Sequence, residues 1–146
     1  MKKLRGVLIV GLLALGTAVA VVSLMAASAA DTPFLPGITV ADNFPRGCVD
    51  CHKVSGSQDL TVNGMLKKLG EHPDVSKAVT TVPTDCALCH KKGGAAPALP
   101  LVMHASHYRD PAKSYFITGY KGACLNCHTL NAKTGEMKVK TGPKNW

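Results

Sequence analysis

The sequence predicts a mainly α domain with little regular secondary structure, organised around something other than a conventional apolar core. Three features predict it. All six cysteines fall into three C-x-x-C-H clusters: Cys48/Cys51/His52, Cys86/Cys89/His90 and Cys124/Cys127/His128. The aromatic residues are few (Phe34, Phe44, Tyr108, Tyr115, Phe116, Tyr120 and Trp146), so the chain can build only a modest interior from its own side chains. Glycine and proline interrupt the apolar segments throughout, which leaves room for helical turns and little else.

The clusters point to a specific chemistry. C-x-x-C-H is the attachment site of c-type haem. Two thiols must each add across a vinyl group on one porphyrin edge, and on a helical turn residues three apart share a face and can both reach it. The histidine that follows then supplies the proximal ligand to iron. At this chain's histidine frequency, three such placements arise by chance with a probability of roughly 10⁻⁴. Zinc usually pairs two such motifs around one metal, and three would leave an odd half-site. A redox-active dithiol needs one C-x-x-C beside a βαβ pattern, which is missing here. A secreted disulfide framework explains six cysteines but not the three histidines after them. Three covalently bound haem c groups are therefore expected, with Cys48, Cys51, Cys86, Cys89, Cys124 and Cys127 as attachment points and His52, His90 and His128 as iron ligands. The porphyrins would replace the missing core, so the protein without haem should be largely unfolded.

Taken in order, the chain opens with a basic stretch, Met1-Lys2-Lys3-Leu4-Arg5, and an apolar run from Gly6 to Val22. The small residues Ala26–Ala30 then offer an A-x-A cleavage site. Residues 1–30 read as a signal peptide cleaved near Ala29 or Ala30. The alternative is an uncleaved N-terminal anchor, since the apolar run is long for a signal and approaches a membrane span. Either places residues 31–146, the haem domain, in the periplasm or another extracytoplasmic compartment.

Asp31 to Gly47, with Pro33, Pro36 and Pro45, reads as an extended lead-in. Asp59 is the expected N-cap of a helix running through Leu69, with Gly70 as its stop. Pro83-Thr84-Asp85 introduces a short helix carrying the second cluster, and Lys91-Lys92-Gly93-Gly94 ends it. Ala95 to Pro100 reads as a linker, and Met103 to Tyr108 as one or two helical turns. The third cluster follows Gly122. From Asn131 onward glycine and lysine dominate, predicting a hairpin or a loose tail. No strand-rich region is evident. The clusters recur every 38 residues, but the intervening segments share no other pattern, so no structural repeat is inferred.

The formal charge of +8 overstates the basicity of the exported domain. Lys2, Lys3 and Arg5 carry three of those charges, leaving +5. With both propionates of each haem ionised, the oxidised protein would carry about +2 and the fully reduced one about −1. No Arg-rich stripe or nucleic-acid motif is present, so nucleic acid is not an expected partner. The lysines are expected to surround haem edges and balance propionates, with some steering of acidic redox partners.

Three histidines lie outside the clusters: His72, His104 and His107. Three irons need three sixth ligands, so the counts close with none left over. Bis-histidine ligation is expected, with Met65 and Met103 as the alternative ligands. The clusters, together with His72-Pro73, Val82-Pro83-Thr84-Asp85-Cys86 and His104-Ala105-Ser106-His107, resemble the small class III multihaem cytochromes c over roughly residues 45–128. In that family a distal histidine often lies shortly upstream of a cluster, and an H-x-x-H pair serves two different haems. The resemblance implies that His72 ligates the second haem, while His104 and His107 divide between the third and the first. The chain departs from the family pattern at its start, where no histidine precedes Cys48.

Irons with two protein ligands have no open position for substrate, so an electron carrier of anaerobic-type respiratory chains, not an enzyme, is expected. One alternative is a haem-containing reductase of a small oxyanion or metal ion, with Lys67, Lys68 or Arg109 binding the anion. The other is an electron-transfer subunit of a membrane oxidoreductase or of an extracellular cytochrome assembly, held by the N-terminal helix or by contacts between chains.

Overall fold

The computed structural model describes residues 32–146. The expected signal peptide or anchor, residues 1–30, lies outside them. The unit described below runs Leu35–Trp146. Among the described residues no helix is long and apolar enough to cross a membrane.

The elements are short, as the glycine and proline punctuation predicts. In chain order they are α1 (Cys48–Cys51), β1 (Val54–Ser55), β2 (Gln58–Asp59), α2 (Val62–Lys68), β3 (Thr81–Val82), a 3₁₀ turn η1 (Asp85–Leu88) and α3 (Leu99–Tyr108). Then follow α4 (Tyr115–Thr118), η2 (Cys124–Asn126), β4 (His128–Leu130), β5 (Met137–Val139) and β6 (Gly142–Pro143). The strands pair antiparallel in three two-stranded sheets, β1–β2, β3–β6 and β4–β5.

Several boundaries differ from the sequence expectation for identifiable reasons. Asp59 does not cap α2. It ends β2, and its carboxylate accepts from the Thr61 N–H (3.0 Å) and hydroxyl (2.6 Å). Thr61 is the cap, its Oγ1 accepting from Gly64 N–H at 3.0 Å. The expected stop at Gly70 coincides with a left-handed backbone there (φ +76°) just past the C-cap Leu69. Pro100 belongs to a helix rather than to a linker. It stands in the first turn of α3, where its missing N–H costs nothing, so the helix begins four residues earlier than Met103. The lead-in is not extended throughout: the Leu35 carbonyl accepts from the N–H groups of Ile38, Thr39 and Val40, closing a tight turn.

The C-terminal segment is a hairpin that also organises the molecule. Beyond β5, Lys140 donates its backbone N–H to the Cys127 carbonyl at 2.9 Å, and β6 pairs with β3 through Thr81–Pro143 and Val82–Gly142. Asn145 Nδ2 donates to the carbonyls of Val49 (3.0 Å) and His52 (2.8 Å). The tail thereby ties the first, second and third clusters together. The main apolar core is small: Val49, Val79 and Val82, flanked by Cys48, Val62, Val75 and Trp146. Leu69, Leu88, Leu101 and Tyr115, by contrast, each expose more than 60% of their surface.

Gly142 sits against this core without a side chain. A Cβ there would lie 2.6 Å from Val49 Cγ2 and 2.7 Å from Arg46 Cβ. Gly142→Ala should therefore destabilise the folded protein by about 1–3 kcal/mol through overpacking. Denaturant unfolding checks this, as a lower midpoint at unchanged slope.

Candidate metal centres

Each cluster is held by a different local device. At the first, Gly47 adopts φ +62° before α1 and lies against Lys140, whose carbonyl oxygen would be 3.2 Å from any added Cβ. Arg46 and Asp50 close the same turn through N–H to Oδ2 (2.7 Å) and Nε–H to Oδ1 (2.8 Å) bonds. At the second, the Asp85 carboxylate accepts from the Thr80 N–H and hydroxyl (2.8 Å each) and from the Thr81 N–H (2.9 Å). These bonds hold its pKa below the ordinary carboxylate range. At the third, the Tyr108 hydroxyl donates to the Gly122 carbonyl at 2.9 Å, and buried Lys140 Nζ donates to the Leu125 carbonyl at 2.6 Å.

No disulfide joins any of the six cysteines. Burial pushes Cys48 and Cys51 up to about 11 and also raises Cys86 and Cys127. Redox-active dithiols have depressed values, because the thiolate is the nucleophile, and burial shifts these four thiols the opposite way.

The six histidines come together in three pairs. His52 stands opposite His107 with ring centroids 6.0 Å apart, His90 opposite His72 at 6.0 Å, and His128 opposite His104 at 6.3 Å. Each pair joins one cluster histidine to one of the three outside, and no histidine is left over. His104 and His107, one turn apart on α3, go to the third and first clusters respectively, and His72 goes to the second.

The spacing has a direct chemical meaning. A metal–imidazole bond of about 2 Å plus about 1.1 Å from nitrogen to ring centre, taken twice, gives about 6.2 Å between rings sharing one metal. The nitrogens are oriented accordingly. Nδ1–H of His52 donates to the Leu60 carbonyl (3.3 Å), that of His90 to Pro97 (2.7 Å), that of His72 to Pro73 (2.9 Å) and that of His107 to Met103 (2.8 Å). A carbonyl only accepts, so the proton is on Nδ1 and the lone pair on Nε2. This is the arrangement that fixes metal-bound imidazoles and raises their basicity. Burial, followed by the neighbouring imidazole of the pair, holds His128 below the usual histidine range. Burial and nearby His107 do the same for His52, against the Leu60 bond. Both rings are thus neutral at neutral pH and able to ligate.

Among the described residues no three histidine, cysteine or acidic side chains converge as a metal site. Two facing imidazoles would leave zinc short of its four donors. They would suffice for an iron whose remaining donors are supplied by a porphyrin, so these residues fit haem. Met65 is 40% exposed, and Met103 contributes its carbonyl to His107. Of Lys67, Lys68 and Arg109, the residues expected to bind an anion in the reductase reading, Lys68 donates to the Asp59 carbonyl at 3.3 Å.

Sequence reasoning missed the supporting residues. Lys140 lies in a lysine-rich tail and looks like a solvated charge, and Asn145 carries no motif. The carbonyls of Leu60 and Pro97 have no side-chain signature at all. No protein family, curated protein or solved structure matches the chain.

Proposed function

We propose that this protein is an exported triheme c-type cytochrome that carries electrons between redox partner proteins. The observation that supports this most strongly is the set of three imidazole pairs, each one bond-length pair apart and each beside a C-x-x-C turn. In this reading Cys48/Cys51, Cys86/Cys89 and Cys124/Cys127 bind the three porphyrins. His52 with His107, His90 with His72, and His128 with His104 hold the irons.

Haem iron supplies one-electron exchange between the ferric and ferrous states. In this reading the chain would supply both protein ligands to each iron, leaving no position for substrate or oxygen. The Nδ1–H bonds of His52, His72, His90 and His107 would hold those four imidazoles in orientation. His104 and His107 sit on one helix, α3, so little reorganisation of these two ligands would accompany electron transfer. Two neutral imidazoles set a lower potential than a methionine–histidine pair.

The test is spectroscopic. The native ferric protein should contain only low-spin haem, show no methionine-to-iron charge-transfer band, and bind no carbon monoxide when reduced. Stoichiometric carbon monoxide binding by the native protein would mean an open iron, and the haem-reductase reading would replace this one.

A further inference from the structure

The three imidazole pairs share a spacing but not an orientation. The rings of His72 and His90 are nearly parallel, at 11°. Those of His104 and His128 are tilted by 31°. Those of His52 and His107 are crossed, at 79°.

The crossed orientation has a structural cause on the His107 side. Phe116, half-buried on α4, stands edge-on to the His107 ring with centroids 5.2 Å apart and planes at 78°. Phe116 is in turn fixed edge-on against Tyr108 at 5.5 Å, and Tyr108 is anchored through its hydroxyl to the Gly122 carbonyl. The Gly122 N–H closes the loop by donating to the Phe116 carbonyl at 2.9 Å. On its other side, His107 is held by the Nδ1–H bond to Met103, and its carbonyl accepts from the Ser114 hydroxyl at 2.6 Å. The Ser106 hydroxyl also lies 3.1 Å from His107 Nδ1, so the ring's rotation is set by two polar contacts on one edge and by one aromatic wall. Among the described residues, no ring other than that of its partner stands against His72 or His90.

We propose that Phe116 is a positioning residue that holds His107 crosswise to His52 and thereby makes the first haem electronically distinct from the other two. The inference rests on the cytochrome reading above. Its physical basis is the interaction of each imidazole π system with the iron d orbital perpendicular to its ring. Parallel rings act on the same d orbital and split it from its neighbour. Crossed rings act one on each, leaving the two nearly degenerate and the unpaired electron with large orbital angular momentum. Orientation of axial ligands by their surroundings is a recognised means of tuning a metal site.

Low-temperature EPR of the ferric holoprotein, with haem content measured on the same sample, is the test. The native spectrum should contain one strongly anisotropic signal with a single feature at high g, alongside two rhombic signals. Phe116→Ala, which removes the wall, should move the high-g feature toward the rhombic pattern. The His72–His90 signal is the one that should stay in place, since His104 meets Tyr108, the other neighbour of Phe116, at 6.4 Å. Phe116→Tyr, which retains the ring, should preserve it. Where the alanine variant fails to retain three haems, Phe116→Leu fills the space without a ring and gives the same readout. Three rhombic signals in the native protein, or a high-g feature unmoved in Phe116→Ala and Phe116→Leu, would overturn the proposal while leaving three low-spin haems intact. Missing haem or high-spin native iron would instead overturn the cytochrome reading, and this inference with it.

Discussion

Replacing His107 by alanine should convert one low-spin haem into a high-spin, carbon-monoxide-binding haem, while His104→Ala should do the same to a different haem. The two histidines are one turn apart on α3, yet His107 faces His52 and His104 faces His128. Loss of either imidazole leaves an iron with only its cluster histidine. The change is therefore all-or-none at that site, not a graded loss of affinity. The carbon monoxide stoichiometry should be one per protein in each single variant and two in the double variant, and His72→Ala should open a third site. The low-spin signals that vanish in His104→Ala and in His107→Ala should differ. Identical spectra from these two variants, or three unaltered low-spin haems in either, would remove the two-haem role of α3.

Removal of the Asp42 charge should destabilise the folded holoprotein by about 3 kcal/mol, the lower end of the range for breaking a buried ion pair. Lys140 has only 2% of its side chain exposed, and its ammonium contacts both Asp42 carboxylate oxygens at 2.8 Å as well as the Leu125 carbonyl. Asp42→Asn leaves that ammonium buried without its counter-charge. Lys140→Met should cost less, because the Asp42 side chain, 23% exposed, can be rehydrated. The pair is also a pH switch of known sign. Burial raises the Asp42 pKa, but hydrogen bonds from Lys140 and the Phe44 N–H, with the Lys140 charge, outweigh it, and the net shift is downward. A carboxyl lowered on folding contributes stability that is fully present above its unfolded value and is lost as pH falls through the folded one. Unfolding midpoints measured from neutral pH to below the carboxylate range should fall in the native protein and fall less steeply in Asp42→Asn.

The C-x-x-C-H residues of the candidate site were legible in the sequence. In the proposed reading, attachment to a porphyrin edge needs two cysteines at fixed spacing and an adjacent histidine, which is why Cys48, Cys51 and His52 and their counterparts stand out as candidates. The outer histidines were legible by count, and α3 places His104 and His107 against different clusters because an H-x-x-H turn projects both from one helix. What could not be read is whatever depends on tertiary partners. Asp59 is the better cap by residue type, and its place in the β1–β2 pairing leaves the role to Thr61. Pro100 signals both a linker and a first helical turn. Lys140 has the same sequence signature as the solvated Lys138 beside it, and only burial distinguishes them. The rotation of His107 depends on Phe116, nine residues away with no motif between them.

The measurement that bears most directly on the central claim is the intact mass of the protein produced in a host that attaches haem c, with metal content determined on the same sample. A mass raised above that of the polypeptide by three haem groups, falling to two when Cys86 and Cys89 are both replaced by alanine, is the predicted result. A polypeptide with six unmodified thiols, carrying zinc and no haem, would contradict it.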